Sequence, residues 1–118
     1  VAEYQIVMPY IGFHLSVNAM KIMRRGRRGP NFPEVDDWMF QLALKVSHLK
    51  GQFKPPIRVR LFGRFRDNRH PDLHNLHKVI GDALEKGLGV DDKYILISDG
   101  GFELGHEKQE LVIALEGE

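Results

Sequence analysis

Between Arg69 and Lys78 the chain reads RHPDLHNLHK, which gathers His70, His74 and His77 around Asp72, and farther on VDDKY sets Asp91 beside Asp92. Imidazoles and carboxylates hold metal ions and move protons, so a metal site, a catalytic site and a nucleic-acid contact are the chemistries to weigh. A zinc site built from the histidines is the weaker reading. His70 and His74 act together only if a helix begins before Pro71, and the chain has no cysteine to assist. A hard-cation site asks less, because Mg²⁺ takes a few carboxylate oxygens together with water and phosphate, which Asp72, Asp91 and Asp92 could supply. Asp72 also stands after Pro71 where a helix N-cap belongs, its carboxylate accepting from the first free N–H groups. Spacing alone leaves both roles open.

These residues must be positioned by the elements around them. Leu73, Leu76, Ile80, Ala83 and Leu84 recur at helical spacing and predict a helix over about 72–86, capped by Asp72 at one end and Gly87 at the other. His74, Lys78 and Asp82 then follow one another at i, i+4 on its polar face, and His77 falls beside the apolar stripe as a packing residue. His70 reads as a loop residue or a phosphate contact. Earlier in the chain, residues 4–8 form a short β-prone run closed by Pro9. Residues 9–33 read as a basic flexible loop carrying MRRGRRG, with Arg24, Arg25, Arg27 and Arg28, a composition that cannot bury itself. A loop that long in a small domain usually has a job. Val35, Trp38, Met39, Leu42, Val46 and Leu49 predict a helix over about 34–50, with Phe40 and Leu44 forming a second apolar surface that suits a dimer contact.

After Lys54 and two prolines, IRVRLFGRFR alternates: Ile57, Val59, Leu61 and Phe65 point one way, and Arg58, Arg60, Arg64 and Arg66 the other. Such a strand is either a solvated antiparallel face or a phosphate-binding one, since arginines without acidic neighbours repel one another until an anion arrives. Two more strands are predicted over about 93–102 and 109–115. The order βαβαββ implies an α+β domain, two helices on a small mixed or antiparallel sheet, and one core for all of residues 1–118.

Seventeen basic and sixteen acidic residues leave a net charge of +1, so bulk charge names no partner and its distribution must. The absence of cysteine removes disulfides and thiol nucleophiles and suits a cytoplasmic protein. No apolar run approaches the roughly 18 residues of a membrane span, and no signal-like apolar region follows the first residues, so no membrane partner is expected.

The segment RHPDLHNLHKVIGDALEKGLGVDD resembles the signature of the RusA-type Holliday junction resolvases, in which Asp-x-Asp-Asn-Leu-x-Lys is followed by Asp-Ala-Leu and then Asp-Asp. Asp72, Asn75, Leu76, Lys78, Asp82, Ala83, Leu84, Asp91 and Asp92 occupy those positions, and Ser16-Val17-Asn18 resembles a short element that follows the family's first strand. So many joint spacings are hard to obtain from a generic amphipathic helix. The resemblance implies a homodimeric, Mg²⁺-dependent endonuclease that nicks four-way DNA junctions in recombination and repair. Carried over by position, Asp72 and Asp92 would bind metal with Asp91 as a neighbour, Lys78 would meet the scissile phosphate, and Asn75 and Asp82 would support them. His74 departs from the pattern, standing at the second acidic position. A neutral imidazole offers one borderline nitrogen and no charge, which weakens Mg²⁺ binding and makes Mn²⁺ relatively more acceptable. Three roles remain open for it: ligand in an adapted site, phosphate or water contact, or the mark of a branched-DNA-binding protein that cuts poorly or not at all.

Reach bears on the assembly. A helix over 72–86 would run roughly 22 Å, and the steps from Lys86 to Asp92 span at most about 20 Å when extended. Bringing Asp92 back to Asp72 within one chain needs an almost straight return, so the Asp91/Asp92 pair of one subunit is expected to meet the Asp72/His74 end of the other. The chemistry implied is phosphodiester hydrolysis assisted by Lys78 and a cation. The loop and strand arginines, with Arg69, would grip backbone phosphates and leave selectivity to junction shape.

Overall fold

The alternating run after Pro56 becomes the strand on which the domain is built. In a computed structural model that describes residues 2–117, β4 (Ile57–Arg64) buries Ile57, Val59 and Leu61 and exposes Arg58 and Arg60, as a half-covered strand must. It lies in the middle of a four-stranded sheet of order β1-β6-β4-β5, where β1 is Ala2–Pro9, β5 is Ile95–Glu103 and β6 is Glu110–Gly117. β1 and β6 pair antiparallel, as do β6 and β4, whereas β4 and β5 are parallel. The buried side chains of β4 join one core with those of two helices, α1 (Pro33–Ser47) and α2 (His77–Leu88). The fold is therefore a small α+β domain with a mixed sheet.

α1 begins at Pro33 with Glu34 and Asp36 in its first turn, where a fixed φ and negative charge both suit a helix start. Val35, Trp38, Leu42 and Val46 are its buried stripe, and the Trp38 indole donates to the Pro9 carbonyl at 2.7 Å, tying the helix to the end of β1. His14 stacks on Phe32 at 4.0 Å and hydrogen-bonds Glu34 at 2.7 Å, which holds the Glu34 carboxyl below its usual range.

The expected irregular loop over 9–33 is corrected. It contains a hairpin, β2 (Lys21–Arg24) and β3 (Arg27–Asn31), preceded by a short 3-10 turn at Phe13–Leu15. Arg25 and Gly26 both have positive φ, 51° and 75°, which is the requirement of a two-residue hairpin turn of type I′. Buried Leu15, Ser16 and Met20 anchor the segment to the core, and Val17 N–H donates to the Asn75 carbonyl at 2.8 Å. Composition misled here because the arginines point outward while a few residues before the hairpin provide its anchor. The element order is thus richer than βαβαββ by one hairpin.

The helix expected over 72–86 is also corrected. Leu73–Leu76 form a 3-10 turn, and α2 starts only at His77. Gly87 is no cap; it lies inside α2, buried against α1, and the left-handed cap is Gly89 with φ 68°. A Cβ on Gly87 would collide with Val46 and come within 2.6 Å of the Ala43 carbonyl oxygen, so this glycine sets how closely the helices pack. Gly87→Ala should destabilise the domain by about 1–3 kcal/mol through overpacking, although alanine is the better helix former. Urea unfolding followed by circular dichroism measures it.

Candidate active site

α2 packs alongside the edge strand β5, and the chain between them folds back at once. After Gly89, the Asp91 carboxylate accepts from Lys93 N–H at 3.2 Å, starting a short 3-10 turn at Asp92–Tyr94. That turn places Asp92 beside the middle of α2, where carboxylate oxygens of Asp82, Glu85 and Asp92 lie within 4.8 Å of one another. Lys78 reaches Asp82 at 3.1 Å, one helical turn away. His77, Lys78, Gly81, Asp82 and Asp92 then line a groove of about 270 Å³ against Ile95 and Ile97 of β5. Gly81 is part of this lining, and a Cβ there would make ordinary contact with Ile97 at 3.6 Å. Three carboxylates offer only oxygen, a donor set that suits Mg²⁺ or Mn²⁺ and not zinc.

Asp92 need not return to the start of the helix to find acidic neighbours, because Asp82 and Glu85 of its own chain supply them. Glu85 was missed. Its i, i+3 relation to Asp82 was the available signal, but the glycine turn that aims Asp92 at that pair is visible only in the folded chain.

The other residues divide by location. Asp72 and His74 are exposed at the 3-10 turn, outside the groove, and Asn75 is half-buried there. Asp72 occupies the cap position, yet its side chain makes no capping bond; its carbonyl accepts from Asn75 N–H at 3.0 Å instead. His77, expected as a packing residue, hydrogen-bonds Asp99 of β5 at 2.6 Å. His70, expected as a loop or phosphate contact, stacks flat on Phe65 at 4.3 Å between ring centres.

The arginines do not form one surface. Lys21 and Arg28 of the hairpin line a small cleft with Lys78 and Asp82, so the hairpin lies beside the groove. Arg24 and Arg27 are direct cross-strand partners, and like charges so placed repel until an anion sits between them. Arg25 is at the exposed tip. Arg58 and Arg60 point from the opposite side of the sheet, away from the helices, because alternation puts them opposite Ile57, Val59 and Leu61. The β4 arginines also have acidic neighbours, contrary to expectation: Arg64 pairs with Glu110 at 3.5 Å, and Arg58 faces Glu116 in register. Arg66 donates to the Glu107 carbonyl at 3.1 Å.

A protein-family model for the endodeoxyribonuclease RusA matches residues 36–116, from α1 through β6, and so contains the whole groove. The chain belongs to the RusA family. A comparison with curated proteins finds no match. Membership makes the RusA-like chain a nuclease of the Holliday junction resolvase kind, and the match covers every groove residue but not the arginine hairpin. Among the described residues no helix is long and apolar enough to cross a membrane.

Arg69, expected as a DNA contact, is held by its own loop. Its guanidinium meets Asp67 at 2.9 Å and pulls that carboxyl down to about 2, chiefly by side-chain hydrogen bonding. The shift is downward, so the pair is intact above the ordinary carboxylate range and is lost as pH falls through about 2. An NMR titration should place the Asp67 carboxyl near 2, and Arg69→Gln should return it toward the ordinary value of about 3.9.

Proposed function

We propose that this chain is a structure-specific endodeoxyribonuclease that resolves four-way DNA junctions by divalent-cation-dependent phosphodiester hydrolysis, acting as a homodimer. The observation that carries the reading is the meeting of Lys78, Asp82, Glu85 and Asp92 at one groove inside the region matched by the RusA family. Asp82, Glu85 and Asp92 would hold Mg²⁺ or Mn²⁺, and the cation would supply Lewis acidity toward the phosphoryl oxygens and the attacking water.

The residues of the chain do the rest. Lys78, already drawn to Asp82, brings positive charge to the oxygens that gain negative charge as the phosphorus becomes five-coordinate. Three carboxylates would repel a phosphate by themselves, so this lysine also serves substrate entry. The hairpin, with Lys21 and Arg28 beside the groove and Arg24, Arg25 and Arg27 beyond, would hold backbone phosphates without reading sequence. Arg58 and Arg60 would meet a more distant part of the junction or the second subunit.

Asp72 and His74 enter through the dimer. Both are exposed, and the in-chain acidic neighbours of Asp92 are Asp82 and Glu85, so the Asp72/His74 end of one subunit is free to approach the groove of the other. A two-fold protein would then present two such sites to a pseudo-two-fold junction. Asp91, whose carboxylate caps the turn, would orient Asp92 and not bind metal first.

Nicking of a synthetic four-way junction tests the reading. Asp92→Asn and Lys78→Ala should each slow nicking by about 100-fold or more, with junction binding in a gel-shift assay retained. Unchanged nicking would exclude the groove. Binding without nicking by the unmodified protein, in Mg²⁺ and in Mn²⁺ alike, would instead identify a branched-DNA-binding protein. Mixing Asp72→Asn and Asp92→Asn subunits should restore part of the activity if sites are shared, because one composite site then keeps both native residues. His74→Asp should move the cation preference toward Mg²⁺, read as the ratio of nicking rates in the two ions.

A further inference from the structure

Asp99 is a carboxylate in an apolar row. It follows Ile95 and Ile97 on the face of β5 that meets α2, two residues after Ile97, where alternation would place another aliphatic side chain. The strand is irregular at this point: Asp99 is paired with Leu61 and Gly101 with Phe62, which leaves Gly100 as an extra residue. Such bulges re-aim a side chain and are frequent beside active sites. Gly101 is required here by its φ of +104°, whereas a Cβ on Gly100 would press on the flexible Arg60 side chain, 2.9 Å away. Asp99 itself keeps the regular register of the strand, and what it meets is His77 Nε2, at 2.6 Å.

His77 is the first residue of α2 and lines the groove that holds Lys78, Asp82 and Asp92. With Nε2 engaged by a carboxylate, the ring is fixed in orientation and its other nitrogen remains for a second partner, since the His77 side chain forms no other hydrogen bond among the described residues. A carboxylate that holds one ring nitrogen fixes the direction in which the other one points. The charged group in contact with the ring is Asp99 from β5, and the others that line the groove with His77 are Lys78 and Asp82 from α2 and Asp92 from the turn before β5. Lys78 is already paired with Asp82, so the partner with first claim on the imidazole is Asp99.

We propose that His77, oriented by Asp99, is a further catalytic residue of this groove and acts as the general acid that protonates the leaving oxygen of the cleaved phosphodiester. The inference rests on the nuclease reading above. In the step, the oxygen of water forms a bond to phosphorus, the bond from phosphorus to the leaving oxygen breaks, and the imidazolium proton passes to that oxygen to give the free hydroxyl. A proton of the attacking water goes to solvent, and the imidazole is reprotonated from solvent before the next turnover. No oxidant or co-reactant is needed. Asp99 is a positioning residue, because it acts through His77.

The test compares leaving atoms. Junctions are prepared with an ordinary phosphodiester and with a phosphorothiolate at the cleaved position, in the 3′-sulfur and 5′-sulfur forms, because a thiolate leaves without being protonated. His77→Gln should slow cleavage of the oxygen substrate by about 100-fold and leave the sulfur substrate whose sulfur departs close to the unmodified rate. Asp99→Asn should show the same pattern with a smaller loss. Equal slowing of both substrates by His77→Gln, or no slowing of either, overturns the proposal and leaves the His77–Asp99 pair as a tie between α2 and β5. Circular dichroism and junction gel shifts on the same variants separate misfolding from lost chemistry, and Asp99→Asn provides the second variant if His77→Gln fails to fold. Failure of the unmodified protein to nick the oxygen substrate would defeat the nuclease reading itself, a separate result from any change in the ratio between substrates.

Discussion

The parallel pairing of β4 with β5 is the constraint on which the site depends. Antiparallel neighbours can be joined by a tight turn, but parallel ones need a crossover that returns the chain to the starting end, and α2 supplies it. That crossover carries nearly all the candidate site residues: Asp72, His74, Lys78, Asp82, Glu85 and Asp92 lie between the end of β4 and the start of β5. A helix lying against an edge strand covers it on one side only, and the groove is the uncovered seam. The pairing that closes the core therefore also creates the place where polar groups can meet a large substrate.

Close approach is enforced by small residues. Gly87 lets α2 settle against Ala43 and Val46 of α1. Each buried leucine or isoleucine on these faces contributes about 1.5–3 kcal/mol, so the helix is held firmly while its polar side stays in water. The surface ion pairs add little by comparison. Arg64 with Glu110 and Lys78 with Asp82 are partly solvated, and pairs of that sort contribute about 0–1 kcal/mol. Lys78 can then leave its carboxylate partner at small cost to the fold.

Much was legible in the residues. Strict alternation named the buried and exposed sides of β4, and an i, i+4 stripe named the core face of α1, because both follow from backbone periods that no tertiary context changes. The spacing of Asp72, Asn75, Lys78, Asp82 and Asp92 pointed to the family to which the chain belongs. The hairpin was not legible, since its strands present arginine, lysine and methionine to solvent and lack an alternating apolar face; its signal was a single Arg25-Gly26 turn. The late start of α2 was hidden too. Leu73 and Leu76 are buried whether their turn is α or 3-10, so the apolar spacing could not tell the two apart.

What the sequence by itself determined is the inventory: an α+β set of elements, their buried faces, and a motif whose spacings belong to one nuclease family. What only the tertiary structure decided is which polar groups share a groove. Glu85 joins Asp82 and Asp92 because Gly89 reverses the chain after Leu88, and Asp99 finds His77 because α2 packs on the face of β5 that carries Ile95, Ile97 and Asp99. Periodicity is a property of the backbone within one element, so it can be read along the chain. Juxtaposition depends on turns and packing distances between elements, and these exist only once the core has closed.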